Sequence, residues 1–507
     1  MPNKKETVDI NDEFAIRLAK LETIRTHGIH PYPERFAKTH AAADIASAAD
    51  GVLVATAGRI LTIREMGKIV FCHILDQSGR GQIVIKSDEI GKESFKQFLA
   101  TFDPGDFIGA QGTTFTTNSG QRSVLVKEWT FLGKALRPLP EKWHGLKDTE
   151  ARYRQRYLDL IANPDTMPRF VLRSAVIRAI REFYWQNGFI EVETPTLLHA
   201  ATGAAARPYI THNNALDIDV ALRISHELPL KELIVGGFDK IFELGKAFRN
   251  EGHDPSHLPE HTHLEHYAAY WNFEDNISFT EQMFSYIFKT LQLPSVVTIT
   301  SKDGDRQEVN FTAPWQRVDY IELVNRDTGL DILSYTTAEA LCTDLRQKKI
   351  SIEGMEQMSL ATLIDNVYKK VSRPKIIQPT ILYHYPKILQ PLARVNDADD
   401  RIVDQFQLVV NGWELVKAYS ELVDPVDQRQ RFEQQKQARA AGDDEAMDVD
   451  EDYLTAMEHG MPPISGWGLG IDRLIAILTE QENLRDVVLF PLMKPIDAQT
   501  PKSKTKK

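Results

Sequence analysis

The sequence predicts an α+β protein with a small closed β-barrel near its N-terminus and a larger domain of strand pairs and helices behind it. Between residues 52 and 135, five short runs rich in β-branched residues are punctuated by glycine. From residue 169 onward, apolar residues return at helical spacing and alternate with strand-like runs. The length of 507 residues is enough for two or three domains.

A hydrophobic content of 42% and a charged content of 26% are those of an ordinary soluble globular chain. The net charge of −11 does not favour a general nucleic-acid coat, so any such contact must come from a local basic patch. Cys72 and Cys342 show neither CxxC nor zinc spacing, which points to two thiols in a reducing compartment. The N-terminus lacks a signal-peptide pattern and no run reaches membrane-spanning length. The expectation is a cytoplasmic protein with no membrane partner.

Residues 1–50 read as a helical extension. Ile16, Leu18, Leu21 and Ile24 form its apolar stripe, Gly28 its C-cap, and Pro31 and Pro33 stop it. Its charged face is either solvated or touches RNA backbone through Arg17, Lys20 and Arg25. Residues 51–136 hold the five strand-like runs, which suggest an OB-fold. Such barrels bind oligonucleotides on aromatic and basic groups. Arg64, Phe71 and Gln82 are suitable, although each is also explained as barrel structure. Residues 137–168 read as a proline-bounded connector and a solvated linker helix, in which Arg152, Arg154 and Arg156 alternate with Tyr153 and Tyr157.

The main domain spans residues 169–496. Leu172, Val176, Ile180 and Phe183 mark an amphipathic helix ended by Gly188, and FIEVETP follows as a strand. Small residues at Thr202–Ala206 allow close approach of a ligand to the backbone, and Glu227 begins a helix-like run. Residues 276–293 and 316–372 carry helix periods without identifiable chemistry. Ile377–His384 reads as a strand, and the next two strands join near Asn411–Gly412. Lys417, Tyr419 and Glu421 share a face. Glu414 is off that parity, so it points elsewhere or a bulge intervenes. A charged helix over 427–447 ends in a turn at AGDDEAM, and residues 497–507 form a basic tail expected to be disordered.

The segment Phe248–Tyr267 reads as two strands around a polar loop, with Arg249 and Glu251 on one face of the first strand and Glu265 and Tyr267 on one face of the second. It is either an ordinary solvated hairpin or a site. In GWGLGIDR, Gly466, Gly468 and Gly470 clear one strand face, and Arg473 lies in the next helical turn. This is neither a P-loop nor GxGxxG. A nucleotide triphosphate fits it, and so does a glycine-packed junction. His253, His257, His261, His263 and His266 raise a zinc alternative, with His261, His263 and Glu265 as possible partners, but HExxH and cysteine partners are lacking.

FRNE and HLEHY in the hairpin, GLGIDR and FIEVETP together resemble the three motifs of class II aminoacyl-tRNA synthetases, FIEVETP being similar to the dimer-interface motif. LRPLPEKWHGLKDTEARYRQRYLDLI, ARPYITHNNALDIDVALRIS and LRDVVLFPLMKP narrow the resemblance to lysyl-tRNA synthetases, over nearly the whole chain. The resemblance implies an N-terminal OB barrel, a catalytic domain with an antiparallel sheet flanked by helices, and a homodimer. It implies ATP and magnesium, with L-lysine and tRNA(Lys) as partners. By resemblance, Arg249 holds the α-phosphate and the lysine carboxylate, and Arg473 holds the γ-phosphate. Glu251, His257, His261, Gly468 and Gly470 complete the ATP site, His261 standing where the family has a stacking Phe. Gly203, Glu227 and Glu265 hold the amino-acid backbone end. Tyr267, Tyr419 and Glu421 surround the ε-ammonium. Glu414 binds magnesium, and Gln407 stands where the family has a second metal-binding Glu. Arg64, Phe71, Gln82 and Glu128 read the anticodon. Ser256, Leu258 and Lys417 also depart from the family pattern, replacing an Arg, an Asn and an Asn. Gln407, Ser256 and Lys417 motivate the alternative of a non-catalytic tRNA- or protein-binding paralogue.

Overall fold

The computed structural model describes residues 10–140, 146–199, 203, 206–252, 254–300, 306–440 and 449–496. Thr202, His253, the expected turn at 441–447 and the tail at 497–507 lie outside them. The chain divides into two units, Met1–Met167 and Pro168–Lys507.

In the first unit, α1 (Ile10–Thr26) precedes β1 (Leu53–Met66), β2 (Ile69–Asp76), β3 (Gly79–Lys86), α2 (Ser87–Ile90), α3 (Lys92–Thr101), β4 (Phe107–Thr116) and β5 (Arg122–Gly133). The strands close into a barrel in the order β1-β2-β3-β5-β4, with only β3 and β5 parallel. This is the OB-fold that the glycine-punctuated runs predict. Strand alternation sets its core: Val70, Cys72 and Ile74 point inward, and Phe71 and His73 outward.

Two expectations change in this unit. In α1, Leu21 and Ile24 are buried, but Ile16 and Leu18 face solvent and Arg17 takes the third inward position. Positions 17, 21 and 24 share a helical face. Arg17 fits there because it donates to the Pro104 and Ala135 carbonyls and pairs with Glu13. Lys20 pairs with Asp103 and Arg25 with Glu22, so these cations do not form a free basic face. The linker is not one solvated helix but α4 (Thr149–Arg154) and α5 (Arg156–Ala162), broken at Gln155. Arg156 and Asp159 are fully buried, and Asp159 takes Arg152 at 2.7 Å and Arg156 and Asn163 at 2.5 Å. Buried charges persist only when paired in this way.

The second unit is built on α6 (Thr166–Gln186), followed by β6 (Ile190–Glu191), β7 (Leu197–Leu198), β8 (Ile210–Asn213), β9 (Ile218–Leu222) and α7 (Glu227–Val235). Next come β10 (Lys240–Phe248), β11 (Glu260–Ala269), α8 (Phe273–Thr290), β12 (Val296–Thr300) and β13 (Arg306–Asn310). Then follow β14 (Gln316–Asp319), α9 (Tyr320–Thr328), α10 (Ala338–Gln347), α11 (Leu360–Val367), β15 (Thr380–Pro386), β16 (Ile402–Val410) and β17 (Trp413–Ser420). The unit closes with α12 (Pro425–Ala440), α13 (Glu451–Glu458), β18 (Ile464–Gly470) and α14 (Ile471–Leu478). Eight strands form one sheet in the order β14-β15-β16-β17-β18-β11-β10-β6, antiparallel except at its two edge strands.

The two faces of this sheet differ in kind. One carries Phe242, Leu264, Phe406, Val416 and Leu469 and packs on Val176 and Ile180 of α6, Phe284 of α8 and Leu474 of α14. The other carries Glu265, Tyr267, Lys417 and Tyr419. Beside them, α9, α10 and α11 build a second core with Leu382, Val403 and Val409. Residues 316–372, silent in sequence, thus build apolar support beside the polar face.

FIEVETP is strand only at Ile190–Glu191, where one short parallel pairing with β10 is available. β10 stops at Phe248, so Arg249 and Glu251 lie in the loop and not on the strand. Asn411 and Gly412, with φ of +49° and +68°, make the two-residue turn joining β16 to β17.

Candidate active site

β11 and β17 flank β18, and their register assembles the site. Glu265 and Lys417 lie on either side of Gly468; Tyr267 and Tyr419 lie on either side of Gly466. Residues directly opposite share a face, so the glycines form a floor between two polar walls. A Cβ at Gly466 would come within 2.5 Å of Tyr267 Cε1 and closer still to Glu421 Oε1. Only glycine permits that approach.

Three buried carboxylates gather over this floor. Glu265 Oε1 accepts from Ser225 Oγ at 2.9 Å and from the His226 backbone N–H and His263 Nδ1 at 3.0 Å each. Burial alone would raise its pKa, but the hydrogen bonds from His226 and His263 hold this carboxyl well below the usual range. Glu227 is the first residue of α7, and its Oε1 takes Lys231 Nζ at 2.7 Å and Tyr419 Oη at 2.6 Å. Glu421, one residue beyond β17, pairs with Lys231 through Oε2 at 2.6 Å. Burial pushes its carboxyl up to about 8, against the pull of Lys231. Burial also raises the phenols of Tyr267 and Tyr419, which therefore stay neutral. Gly203 lies beside Glu227 with φ of +88°, and a Cβ there would meet Glu227 Cβ at 3.1 Å. Acceptor oxygens converging on a small dry space suit a ligand bearing ammonium groups.

At the other end of the floor the charge reverses. Arg473, in the first turn of α14, donates to the Glu414 carbonyl at 2.9 Å. Burial pulls Arg473 below its ordinary value; Glu414 opposes this, and Arg249 and Arg373 add to it. Three guanidiniums crowded together favour an anion between them. The strand pairing continues into the loop through the Arg249 N–H, 2.9 Å from the Pro259 carbonyl. Asp472 ties α14 to β11, accepting from the Thr262 N–H at 2.8 Å and pairing with Arg173 at 2.6 Å. Burial, then Arg249 and His263, pull His261 down to about 2, leaving a neutral ring suited to stacking on a flat heterocycle. Glu251 and His257 are exposed in the loop, where His257 Nδ1 lies 2.7 Å from Asp254.

The parity of Glu414 is settled by a bulge. Leu408 pairs with Val416 but Val409 pairs with Glu414, so β17 carries one extra residue. Glu414 thereby rejoins the face of Gln407 and Lys417, which lie opposite each other. Gln407 Oε1 is buried with no hydrogen-bond partner among the described residues. A carboxylate beside an unsatisfied amide oxygen fits a hard divalent cation such as magnesium.

The clustered histidines separate into distinct environments. His266 lies in the opposite core, 2.7 Å from Tyr184 Oη and 2.8 Å from Asn276 Oδ1, and burial lowers it to about 3. Among the described residues, the group with metal-ligand proximity is His226, His263 and Glu265, within 4.8 Å of one another, not His261 with His263. Both of its imidazoles already face Glu265 Oε1. Ser256 closes a turn by donating its backbone N–H and Oγ to Asp254 at 2.6 and 2.7 Å, and Leu258 is buried in the main core.

On the barrel, Arg64 lies opposite Phe71, and His73 opposite Gln82. Arg64 is exposed and Phe71 half-buried, whereas Gln82 is buried and accepts from Ser123 Oγ at 2.6 Å. Glu128 is exposed on β5 opposite Gln111, away from the rows that join the other three. Sequence reasoning missed Ser225, His226, Lys231 and Arg373. Lys231 had a usable signal, since it lies four residues after Glu227 on one helical face. The other three come from loops and turns and have no spacing rule.

A family profile described as "tRNA synthetases class II (D, K and N)" matches residues 148–494, and one described as "OB-fold nucleic acid binding domain" matches residues 54–132. A lysine–tRNA ligase of Lactococcus lactis is 43% identical over 499 residues, covering 96% of this chain and 100% of that protein. One from Moorella thermoacetica is 46% identical, covering 96% and 98%. One from Aquifex aeolicus is 47% identical, covering 87% and 73%.

Proposed function

The chain belongs to the class II tRNA synthetases, within them to the lysine–tRNA ligases, and we propose that lysine binds over Gly466 and Gly468 and ATP beside Arg473. The enzyme joins lysine to tRNA(Lys) at the expense of ATP. One observation carries the assignment of the pocket: the buried carboxylate of Glu421 turns Oε1 toward Tyr267 across a glycine floor. Lys231 occupies only Oε2, so Oε1 is left to a second cation, and the lysine side chain supplies one.

In this reading Glu421, Tyr267 and Tyr419 receive the ε-ammonium, and Gly203, Glu227 and Glu265 hold the α-ammonium. Arg249 draws the lysine carboxylate and the α-phosphate together. The carboxylate is already ionised and attacks the α-phosphorus directly, forming the acyl adenylate as the α–β phosphoanhydride breaks and pyrophosphate leaves, so no general base is needed. Arg473 holds the γ-phosphate, His261 stacks on adenine over Gly468 and Gly470, and Glu251 and His257 close over the nucleotide from the loop. Catalysis consists of positioning and of neutralising charge on the transferring group. Glu414 and Gln407 would hold magnesium, which adds positive charge at the triphosphate. The terminal ribose of tRNA then attacks the adenylate carbonyl and releases AMP.

Arg64, Phe71, Gln82 and Glu128 read the anticodon from the barrel in this account. The exposed Ile190 within the FIEVETP segment and Leu197 just after it fit a homodimer interface. Both described cysteines are buried free thiols, as suits the cytoplasm. The non-catalytic alternative is not favoured: Ser256 and Leu258 have structural tasks, and Gln407 remains an available oxygen. Mass spectrometry of reactions with lysine, ATP and magnesium should detect lysyl-adenylate. Glu421→Gln should raise the lysine requirement on the order of a hundredfold, because breaking a buried charge pair costs about 3 kcal/mol or more. An unchanged requirement would remove Glu421 from the pocket.

A further inference from the structure

Lys231 is fully buried in this pocket, and the reaction as described gives it no task. Its ammonium lies 2.7 Å from Glu227 Oε1 and 2.6 Å from Glu421 Oε2. The rings of Tyr419, Tyr453 and Tyr267 stand 5.7, 5.7 and 5.9 Å away, within reach of cation–π attraction. The titratable groups around it are thus two carboxylates and three phenols, from α7, β11, β17, α13 and the residue after β17, with Glu265 beyond them. Once Glu421 is ionised, as a bound ammonium favours, two carboxylates and one ammonium leave a single negative charge. Glu421 divides its oxygens accordingly: Oε2 serves Lys231, and Oε1 lies over Gly466 toward Tyr267.

We propose, on the lysine-pocket reading above, that Lys231 is a positioning residue that determines specificity. As a resident ammonium it cancels one of the two carboxylate charges and holds Glu421 with Oε1 forward, so the pocket accepts a substrate side chain with one positive charge. A neutral side chain would leave Glu421 either protonated or unpaired, and it gains none of the attraction that an ammonium gains there.

Lys231→Met and Lys231→Gln remove the charge and keep the length. In lysine-dependent ATP–pyrophosphate exchange, each should raise the lysine KM at least roughly tenfold while kcat and the ATP KM move less than about threefold. The lysine KM should also become more steeply dependent on pH, because one of the two unpaired carboxylates then takes up a proton that the substrate must displace. Methylammonium, small enough to stand between Glu227 and Glu421, should lower that KM again, and Lys231→Arg should keep the parent pH profile. An unchanged lysine KM, or a fall in kcat alone, would overturn the proposal. So would failure of both neutral variants to fold, which would assign Lys231 to stability alone. A parent enzyme that exchanges no lysine would instead refute the pocket reading, before any variant is compared.

Discussion

Glu421 shows how burial sets the chemistry of one carboxylate. Its pKa is raised to about 8 by burial, with Lys231 opposing. A carboxyl held above its unfolded value is a cost that grows as pH rises from the unfolded to the folded pKa. Substrate binding has the opposite sign, because the lysine ammonium favours the ionised form. kcat/KM for lysine should therefore rise between roughly pH 6 and 8 and level off above, and Glu421→Gln should flatten that rise. A profile that falls with pH over this window would contradict the assignment. Glu265 behaves differently: with its pKa held well below the usual range, it stays ionised throughout and contributes none of the slope. Gly466 supplies a second test at the same scale. Gly466→Ala puts a methyl group against Tyr267 and Glu421 and should raise the lysine KM while sparing the ATP KM. Equal damage to both substrates would show a general collapse of the sheet.

At the scale of elements, the site depends on how β11, β17, β18 and α14 are held together. Asp472 is the lock between β11 and α14, nearly fully buried and bonded to both Thr262 and Arg173. Asp472→Ala removes the carboxylate from Arg173, leaving it only Thr262 Oγ1 and the Val487 carbonyl, and should cost about 3–5 kcal/mol in urea unfolding of the catalytic unit. A change below about 1 kcal/mol would show that the lock carries little. The same elements show what sequence could and could not reveal. Period-two alternation read the barrel strands, which have a dry inner face, and the β16–β17 pair, where polar and apolar side chains still alternate although β16 is buried on both faces. The face shared by Lys417, Tyr419 and Glu421 was visible for the same reason. Glu414 shows in the sequence only as a break in parity that fits either the opposite face or a bulge, and the strand register decides for the bulge. Arg249 and Glu251 were misplaced on a strand because polar residues at a strand end carry no signal for where pairing stops. In α1, the hydrophobic count pointed to Ile16 and Leu18, but Arg17 turns inward where carbonyls and Glu13 satisfy it. Ser225 and His226 reach Glu265 only through tertiary packing, which spacing along the chain does not encode.

At the scale of the whole molecule, two units divide the work of one ligase: the barrel offers a face for nucleic acid, and the sheet carries the chemistry. Phe71 is half-buried on the outer face of the barrel opposite Arg64, and the proposed anticodon role makes it the stacking platform. Phe71→Ala should lower tRNA charging by roughly tenfold or more, since stacking on an aromatic ring is worth about 1–3 kcal/mol per base. It should leave adenylate formation intact, and equal losses in both would remove the barrel from tRNA recognition. The central claim, that the pocket between Glu265, Tyr267 and Glu421 is built for lysine, is tested most directly by ATP–pyrophosphate exchange measured across all amino acids with magnesium present. Exchange driven by lysine, and not by aspartate or asparagine, is the predicted result. Exchange driven by aspartate or asparagine in place of lysine would contradict it.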